Sequence, residues 1–404
     1  MWWLLACHTV EKLPGDDAIA TCGDPVLTPQ LGYSTSDREA ADADSASFGA
    51  SPEPYHLRYA WSGNPSTDAT ILWRTDDDTL ASQVQYWKEG GEVRTVAGGS
   101  FTFNTGGGRV HEVPLCDLAP ATTYTYRAGG EGHWSAEYSF TTAPAAGTEV
   151  PVVIAVAGDA RDNQATWAAL LDQIETFAPD FLVFSGDAVD FGSNMDEWDA
   201  FLDAGVGFME SHAMIMVHGN HEFYAQNYFG LVAQPGDEKT FSLDYGPLHL
   251  AVLDDSTSSD DRATQAEWLD ADLGATTQTW KVVSHHMPAY SSCTTHGSDT
   301  ELQELWSPVE EAHGVQLDIV GHNHNYERSV PLRGGVEVAP GEGTVYVVAA
   351  GAGADPYDND MANAFTAVAA VTEHFALLTI DGGQMEVVVR DLAGNEIDRF
   401  TLSP

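Results

Sequence analysis

The sequence predicts two folded units, an antiparallel β-sandwich followed by an α/β domain, after a leading segment with few large apolar residues. Between residues 55 and 142, short runs of alternating apolar and polar residues are separated by turn residues, which is typical of antiparallel strands. From residue 150 onwards, apolar strand-like runs alternate with stretches whose apolar residues recur at helical spacing. Such alternation indicates an α/β domain with its functional groups at the carboxyl ends of the strands.

The composition excludes some classes of partner. The chain has 404 residues, enough for two domains, and carries 16 basic against 61 acidic residues, a net charge of -45. A surface this acidic repels nucleic acid and anionic membranes, so we expect no nucleic-acid partner. The same balance fits a secreted or salt-adapted protein, whose acidic side chains keep the surface solvated.

Residues 1–50 form the leading segment, which bears on location. Leu4-Leu5-Ala6-Cys7 resembles the end of a bacterial lipoprotein signal, but the basic region before it is missing and the apolar run is short. A lipid tether to a membrane through Cys7 and an accidental match are therefore both open, as is pairing of Cys7 with Cys22. Residues 8–50 are rich in Ser, Asp, Ala, Gly and Thr and indicate an acidic low-complexity tether. We expect a secreted or cell-envelope protein.

Residues 51–143 are predicted to form the β-sandwich. Its strands are predicted at residues 56–61, 69–74, 83–87, 109–115, 123–128 and 138–142. Residues 115–127, with Pro120, Tyr124 and Tyr126, resemble a corner motif of fibronectin type III-like domains. That resemblance implies that the two tyrosines are packing and corner residues. Residues 143–149 are the predicted domain boundary.

Residues 150–404 are predicted to form the α/β domain. Its first strands are predicted at residues 152–157, 181–185, 214–217, 281–283 and 317–320, and its helices at residues 164–177, 194–202 and 265–273. Four later strands, at residues 344–349, 374–380, 385–390 and 399–402, are predicted to complete this domain.

Polar motifs follow the first five strands of the α/β domain. These motifs are Gly158-Asp159, Gly186-Asp187, Gly219-Asn220-His221-Glu222, Ser284-His285-His286 and Gly321-His322-Asn323-His324. An isolated H-x-H is often incidental, but five such strand ends together predict a binuclear metal centre. Carboxylate and imidazole suit iron, zinc or manganese, and the absence of cysteine from the motifs argues against a structural zinc site.

With these motifs placed, the chain from residue 55 onwards resembles the purple acid phosphatase branch of the metallophosphoesterases. The family motifs GDxG, GDxxY, GNH-E/D, a histidine two residues before a proline, and GHxH correspond to the five strand ends. The resemblance implies a small fibronectin-like domain joined to a catalytic four-layer α/β/β/α sandwich. It also implies a phosphomonoesterase in which a metal-bound hydroxide attacks the phosphorus of a small phosphate ester.

The resemblance also implies roles for individual residues. The implied metal ligands are Asp159 and His324 on a first ion, Asn220, His286 and His322 on a second, and Asp187 bridging both. His221 and His296 would stabilise the transition state, and one of them would donate a proton to the leaving group.

Two positions depart from the family pattern. The metal-binding tyrosine that gives the family its colour should stand at residue 190, where this chain has Asp190, and residue 161, a histidine in other metallophosphoesterases, is Arg161. Three interpretations are open: Asp190 binds the first metal, it pairs with Arg161 while the guanidinium holds a substrate oxygen, or the two form only a structural ion pair. We expect that this protein is not purple.

Two other functions are open on the sequence. A phosphodiesterase acting on nucleotides or other diesters would use the same chemistry, and the choice depends on pocket walls expected at residues 290–299 and 357–365. A non-catalytic surface binding protein would use the β-sandwich and carry a degenerate first metal site. Retention of His221 and His296 argues against a pure binding protein.

Overall fold

The computed structural model describes residues 39–40, 47–103 and 106–404. Most of the predicted tether, with Cys7 and Cys22, lies outside these residues, so the lipid tether stays a prediction. Of the two cysteines in the described ranges, Cys116 is disulfide-bonded and Cys293 is a buried free thiol. Within the same ranges, no helix combines the length and the apolar character needed to cross a bilayer.

Two antiparallel sheets form the N-terminal β-sandwich. Its strands are β1 Glu39–Ala40, β2 Tyr55–Ala60, β3 Ala69–Thr75, β4 Gln83–Trp87, β5 Arg94–Ala97, β6 Gly99–Thr102, β7 Arg109–Leu115, β8 Thr123–Gly130, β9 His133–Trp134 and β10 Tyr138–Thr141. One sheet has the order β1-β6-β7-β3-β2, and the other has the order β10-β8-β4-β5 with β9 paired to β8. The six predicted strands are present. Strands β5, β6 and β9 were not predicted, because they are too short to show a clear alternation of apolar and polar residues.

Within the described residues, the α/β domain contains two large sheets, one two-stranded sheet and six helices. Its elements are β11 Val152–Ala157, α1 Gln164–Glu175, β12 Phe181–Phe184, α2 Met195–Ala204, β13 Ala213–Met216, α3 Gln226–Leu231, β14 Phe241–Tyr245, β15 Leu248–Val252, α4 Ser259–Ala275, β16 Trp280–Ser284, α5 Thr300–Leu305, α6 Ser307–His313, β17 Leu317–Val320, β18 Tyr326–Ser329, β19 Leu332–Arg333, β20 Val336–Glu337, β21 Val345–Ala349, β22 Thr366–Ala370, β23 His374–Asp381, β24 Gln384–Asp391 and β25 Glu396–Leu402. The two large sheets have the orders β13-β12-β11-β23-β24-β25 and β14-β15-β16-β17-β21-β18-β22, and β19 pairs with β20 in a small separate sheet.

Side-chain alternation along the strands builds the layers of this domain. On β11, Ile154 and Val156 lie in the core between the two sheets, whereas Ala155 and Ala157 face the cluster that contains the α1 residue Trp167. On the second sheet, Val283 of β16 packs in a separate cluster with Leu269 of α4 and Trp306 at the start of α6. The result is the four-layer α/β/β/α arrangement that the sequence resemblance implied, and that prediction is confirmed.

The β-sandwich shares a hydrophobic core with the α/β domain. Trp61, which is 1% exposed, has its ring centroid 5.3 Å from that of Phe181 and 5.8 Å from that of Tyr245. The Tyr126 hydroxyl donates a hydrogen bond across the boundary to the carbonyl of Glu210 at 2.8 Å. The Tyr124 hydroxyl instead accepts from the amide of Ala119 at 2.9 Å, which closes the corner within the sandwich.

Several elements of the α/β domain differ from the sequence prediction. Helix α4 begins at Ser259 rather than at residue 265, because Ser258 caps it and its first turn is polar and exposed, which hides the apolar period. The hairpin β14–β15 and the short helices α3, α5 and α6 were not predicted. Strands β18 and β22 were also missed, since the residues of β18 read as part of the GHxH loop.

A buried histidine links the β14–β15 hairpin to helix α4. The His249 ring nitrogens lie 2.8 Å from Asp244 Oδ1 and 2.8 Å from Asp272 Oδ2. Burial by itself disfavours the imidazolium, but the two carboxylates outweigh it and raise the pKa of His249 to about 9. A folded-state pKa above the unfolded value means that this stabilisation is complete below about pH 6.5 and is lost as the pH rises through about 9.

We therefore expect His249→Gln to lower the free energy of unfolding most at pH 6. The difference from the wild type should shrink steadily between pH 7 and pH 9.5, as measured by urea denaturation. His313→Gln, which removes a 2.8 Å contact with the exposed Asp270, is the matched control and should have a small effect. A destabilisation by His249→Gln that is equal at pH 6 and pH 9.5 would contradict this assignment.

Candidate metal centre

The strand ends that carry the polar motifs converge at one edge of the two sheets. Strands β11, β12 and β13 are parallel neighbours, and so are β16 and β17, so their carboxyl ends lie at common edges. The amide of Gly321 after β17 donates to the carbonyl of His286 after β16 at 3.0 Å, and the amide of Asp159 donates to the carbonyl of Gly186 at 2.9 Å. The fold thereby brings all five motifs together.

Three of the implied ligands occupy strained backbone positions. Asp159, Asp187 and His322 have φ values of 62°, 57° and 65°, in the left-handed region that costs a non-glycine residue free energy. The neighbouring glycines leave room for the turned side chains. A Cβ on Gly219 would lie 2.3 Å from Asp187 Oδ1, and a Cβ on Gly321 would lie 2.5 Å from Asp159 Oδ2. The carboxylates of Asp187 and Asp159 therefore occupy space that a side chain at residue 219 or 321 would fill.

The atoms implied to bind the second ion form one group. Ligand atoms of Asp187, His286 and His322 all lie within 4.8 Å of one another. His286 Nε2 is 3.3 Å from Asp187 Oδ2 and 3.1 Å from Asn220 Oδ1. Asp159 and His324 lie on the other side, with His324 Nε2 3.5 Å from Asp159 Oδ1.

Hydrogen bonds behind the imidazoles fix which nitrogen faces the carboxylates. His286 Nδ1–H donates to the carbonyl of Ser185 at 2.7 Å, and His324 Nδ1–H donates to the carbonyl of Asp355 at 2.8 Å. In the neutral tautomer each Nε2 therefore carries a lone pair that faces carboxylate oxygen atoms, and these atoms repel one another unless a proton or a metal cation lies between them. The donor set and its orientation thus fit metal ions.

Burial favours the neutral form of each of these groups, and neighbouring charges outweigh burial at two of them. Burial, reinforced by the charge of His286, lowers the pKa of His322 to about 2, and burial lowers the pKa of His324 to about 4. Burial raises the pKa of Asp159 well above its usual range. Burial alone would also raise the pKa of Asp187, but the adjacent His286 lowers the pKa of this carboxyl. Burial alone would lower the pKa of His286, but the neighbouring carboxylates raise it. Metal binding requires neutral imidazoles and ionised carboxylates, which the pKa directions of His322, His324 and Asp187 favour; at His286 and Asp159 a metal cation would have to displace a proton.

Two buried carboxylates hold the loops that carry the ligands. Glu222 accepts hydrogen bonds from the amides of Asp187, Ala188 and Gly219 at 3.1, 2.8 and 2.7 Å, which is a structural role. Asp255 was not predicted from the sequence; its Oδ2 accepts from the amide of His286 at 3.0 Å and from His285 Nδ1 at 2.8 Å. Its position at the end of the apolar run of β15 was the signal that could have revealed it.

The two histidines implied in catalysis lie at the mouth of the site. The His221 amide donates to Asp187 Oδ1 at 3.0 Å, and its Nδ1 lies 2.8 Å from the carbonyl of Asp190, which leaves Nε2 3.9 Å from Asp187 Oδ2. His296 is exposed, and its ring centroid is 4.5 Å from that of His322.

Arg161 and Asp190 form an ion pair beside the first metal position. Arg161 Nη1 is 2.9 Å from Asp190 Oδ1, and Nη2 is 3.4 Å from His324 Nε2 and 3.3 Å from the Tyr357 hydroxyl. The Tyr357 ring stacks on His324 with centroids 3.9 Å apart. A guanidinium therefore occupies the neighbourhood in which a further metal ligand was expected. The absence of purple colour stays a prediction.

Comparisons with known proteins agree with this geometry. The chain matches the family described as "Purple acid Phosphatase, N-terminal domain" over residues 54–142 and the family described as "Calcineurin-like phosphoesterase" over residues 152–326. It is 30% identical over 288 residues to Purple acid phosphatase 21 of Arabidopsis thaliana, an alignment covering 65% of this chain and 64% of that protein. It is 29% identical over 322 residues to Acid phosphatase type 7 of Homo sapiens, covering 70% of this chain and 72% of that protein.

A solved structure shares the fold. A purple acid phosphatase from yellow lupin (Lupinus luteus) seeds superposes with a TM-score of 0.77 at 21% identity, covering 87% of this chain and 74% of that chain. The two-sheet α/β domain and its strand-end ligands define a metallophosphoesterase. With the β-sandwich domain matched as well, the chain combines the two domains of a purple acid phosphatase-like metallophosphoesterase, as the sequence motifs predicted. It spans about two thirds of the length of the curated relatives it matches.

The glycine corner at residue 219 gives a direct test of the ligand geometry. We expect Gly219→Ala to displace Asp187, since the added Cβ would lie 2.3 Å from Asp187 Oδ1 and 2.7 Å from Glu222 Oε2. The affinity for Zn²⁺, measured by competition with a chromophoric chelator, should fall by roughly 10- to 100-fold. Gly383→Ala, where the Cβ would meet nothing within 4 Å, is the control. Unchanged affinity in Gly219→Ala would show that Asp187 does not bind metal in this geometry.

Proposed function

We propose that this chain is a binuclear metal-dependent phosphatase that hydrolyses small phosphate monoesters. The observation that carries the proposal is the pair of imidazole Nε2 atoms, on His286 and His324, that face the buried carboxylates of Asp187 and Asp159. The two matched domains of a purple acid phosphatase-like metallophosphoesterase support the same activity. The names of the Arabidopsis and human relatives also support a phosphatase.

Two ions would be held at this centre. His324 and Asp159 would hold the first, His286, His322 and Asn220 would hold the second, and Asp187 would contact both. When bound, iron, zinc or manganese ions supply positive charge for the phosphate and acidify a water molecule. Local cations also explain how a chain of net charge -45 would attract an anionic substrate.

The side chains around the ions would bind and protonate the substrate. Arg161 already points toward His324 and is held by Asp190, so its guanidinium is placed to donate hydrogen bonds to a phosphate oxygen from the first-ion side. His221 donates through Nδ1–H to the Asp190 carbonyl, so Nε2 faces the substrate, and the protonated ring would donate a proton or hydrogen bond from it. His296 at the exposed rim is placed to meet the leaving group.

An exposed aromatic pair beside His221 suggests how the leaving group is bound. Phe191 and Phe223 are 55% and 58% exposed, and their rings are near-parallel with centroids 6.1 Å apart. The Phe223 ring lies 5.9 Å from the His221 ring. Exposed aromatic rings at the rim of a site favour flat leaving groups, so we propose a preference for aryl over alkyl esters.

The proposal includes a location outside the cytoplasm, either secreted or in the cell envelope. The disulfide-bonded state of Cys116 supports it, because structural disulfides persist mainly in oxidising compartments. The acidic surface is compatible with the same location.

The central test is hydrolysis of 4-nitrophenyl phosphate and bis(4-nitrophenyl) phosphate before and after chelation. We expect activity on the monoester to exceed that on the diester, to be lost with chelator, and to return with iron, zinc or manganese. Asp187→Asn should lower kcat/KM by at least roughly 100-fold, because it removes a charged ligand from both ions. Asp260→Asn, at an exposed carboxylate on α4, should have no effect.

Each alternative function has its own outcome in this assay. A higher kcat/KM for the diester would identify a phosphodiesterase. Folded protein that binds metal and hydrolyses neither ester would indicate a binding protein, with the Arg161–Asp190 pair as the cause of the lost activity.

A second assay tests the aromatic pair. We expect Phe191→Ala and Phe223→Ala to raise KM for phenyl phosphate by roughly 2- to 10-fold and to leave KM for glycerol phosphate nearly unchanged. Val206→Ala, at a residue 58% exposed before the amino end of β13, is the matched control. Equal changes for the two substrates would exclude ring stacking on the leaving group.

A further inference from the structure

A second cluster of polar side chains lies buried beneath the helices of the α/β domain. It consists of His285 after β16, Glu310 on α6 and Asp318 on β17, each 1% exposed. The apolar residues Val283 and Trp306 line the same core, and the Trp306 ring meets the His285 ring edge-on at 5.0 Å. Charged side chains are seldom buried in such surroundings without a partner.

Three of the four carboxylate oxygens of Glu310 and Asp318 lack a hydrogen-bond partner. Neither oxygen of Glu310 has a hydrogen-bond partner, and the same is true of Asp318 Oδ1. The Tyr346 hydroxyl lies near Glu310 but is itself without a partner at hydrogen-bond distance. Two carboxylates therefore face one another in a space that excludes solvent, with the His285 imidazole as the only basic group among the three.

The His285 ring is oriented in the way that metal-binding histidines are. Its Nδ1–H donates to Asp255 Oδ2 at 2.8 Å, and its Nε2 points into the cluster, 3.2 Å from Asp318 Oδ2. Ligand atoms of all three residues lie within 4.8 Å of one another. A carboxylate behind the histidine is the usual support of a zinc ligand, and two ligands bound tetrahedrally at about 2.0 Å lie about 3.3 Å apart.

We propose that His285, Glu310 and Asp318 form a further metal site, for a divalent transition-metal ion of the size of Zn²⁺. One imidazole nitrogen and two carboxylates supply three protein ligands, and a water molecule or the Tyr346 hydroxyl would complete a tetrahedron. The cation would satisfy the unpaired carboxylate oxygens, which hydrogen bonds within the described residues do not.

This site is separate from the catalytic centre but shares a support with it. Successive residues of an extended chain point to opposite faces, so His286 reaches the catalytic ligands while its neighbour His285 enters the core under α6. Asp255 Oδ2 accepts hydrogen bonds from both His285 Nδ1 and the His286 amide. A metal ion behind His285 would therefore brace the loop that carries His286.

The test is the zinc content and the zinc positions of the whole chain. Protein equilibrated with Zn²⁺ and freed of loose metal is analysed by mass spectrometry for zinc per chain, and crystals are measured on both sides of the zinc absorption edge. We expect an anomalous peak about 2 Å from His285 Nε2 in the wild type. Glu310→Gln, which keeps the side-chain shape and removes a repelling charge, should lose one zinc per chain and that peak alone.

Two further variants separate this inference from the proposed function. Glu311→Gln, at the half-buried neighbour of Glu310 on α6, should keep the zinc content of the wild type. Asp187→Asn should keep the peak at His285 while it disturbs zinc at the catalytic centre. Absence of a peak near His285 in wild-type crystals whose catalytic centre is filled would overturn the inference, as would equal zinc content in the wild type and Glu310→Gln. Either result leaves the phosphatase proposal intact.

Discussion

The structure is organised around negative charge held out of water at the ends of neighbouring strands. Asp159 and Asp187 are 0% and 1% exposed, and each stands in a left-handed turn at the carboxyl end of a parallel strand. Buried carboxylates of this kind are tolerated only with cations or strong donors close by. His286 and His324 supply lone pairs to the same space, so the site favours metal ions over hydrogen bonds alone.

The surrounding fold serves to keep that arrangement rigid. Parallel strands fix the positions of the corners, glycines make room for the turned carboxylates, and backbone carbonyls select the tautomer of each imidazole. Glu222 gathers three amides beneath Asp187. The Arg161–Asp190 pair places a guanidinium beside His324, whereas the purple acid phosphatase motif has a tyrosine at the position of Asp190.

The sequence predicted the fold class and the strand ends because both depend on local patterns. Apolar runs, turn residues and short motifs place Asp187 or His322 without knowledge of the rest of the chain. Contacts between residues distant in sequence could not be predicted in the same way. Asp255 supports His286 from 31 positions away, and the cluster of His285, Glu310 and Asp318 exists only once α6 packs on β16 and β17. Helix α4 was predicted too short because its first turn is polar.

The claim that Asp187 joins two metal ions is tested most directly by electron paramagnetic resonance of the Mn²⁺-loaded protein. Two ions sharing a carboxylate at about 3.5–4 Å couple magnetically, so we expect the spectrum of a coupled pair. Asp187→Asn should convert it to the six-line spectrum of isolated Mn²⁺. A wild-type spectrum that shows only isolated ions at full metal loading would show that Asp187 does not join two metal ions.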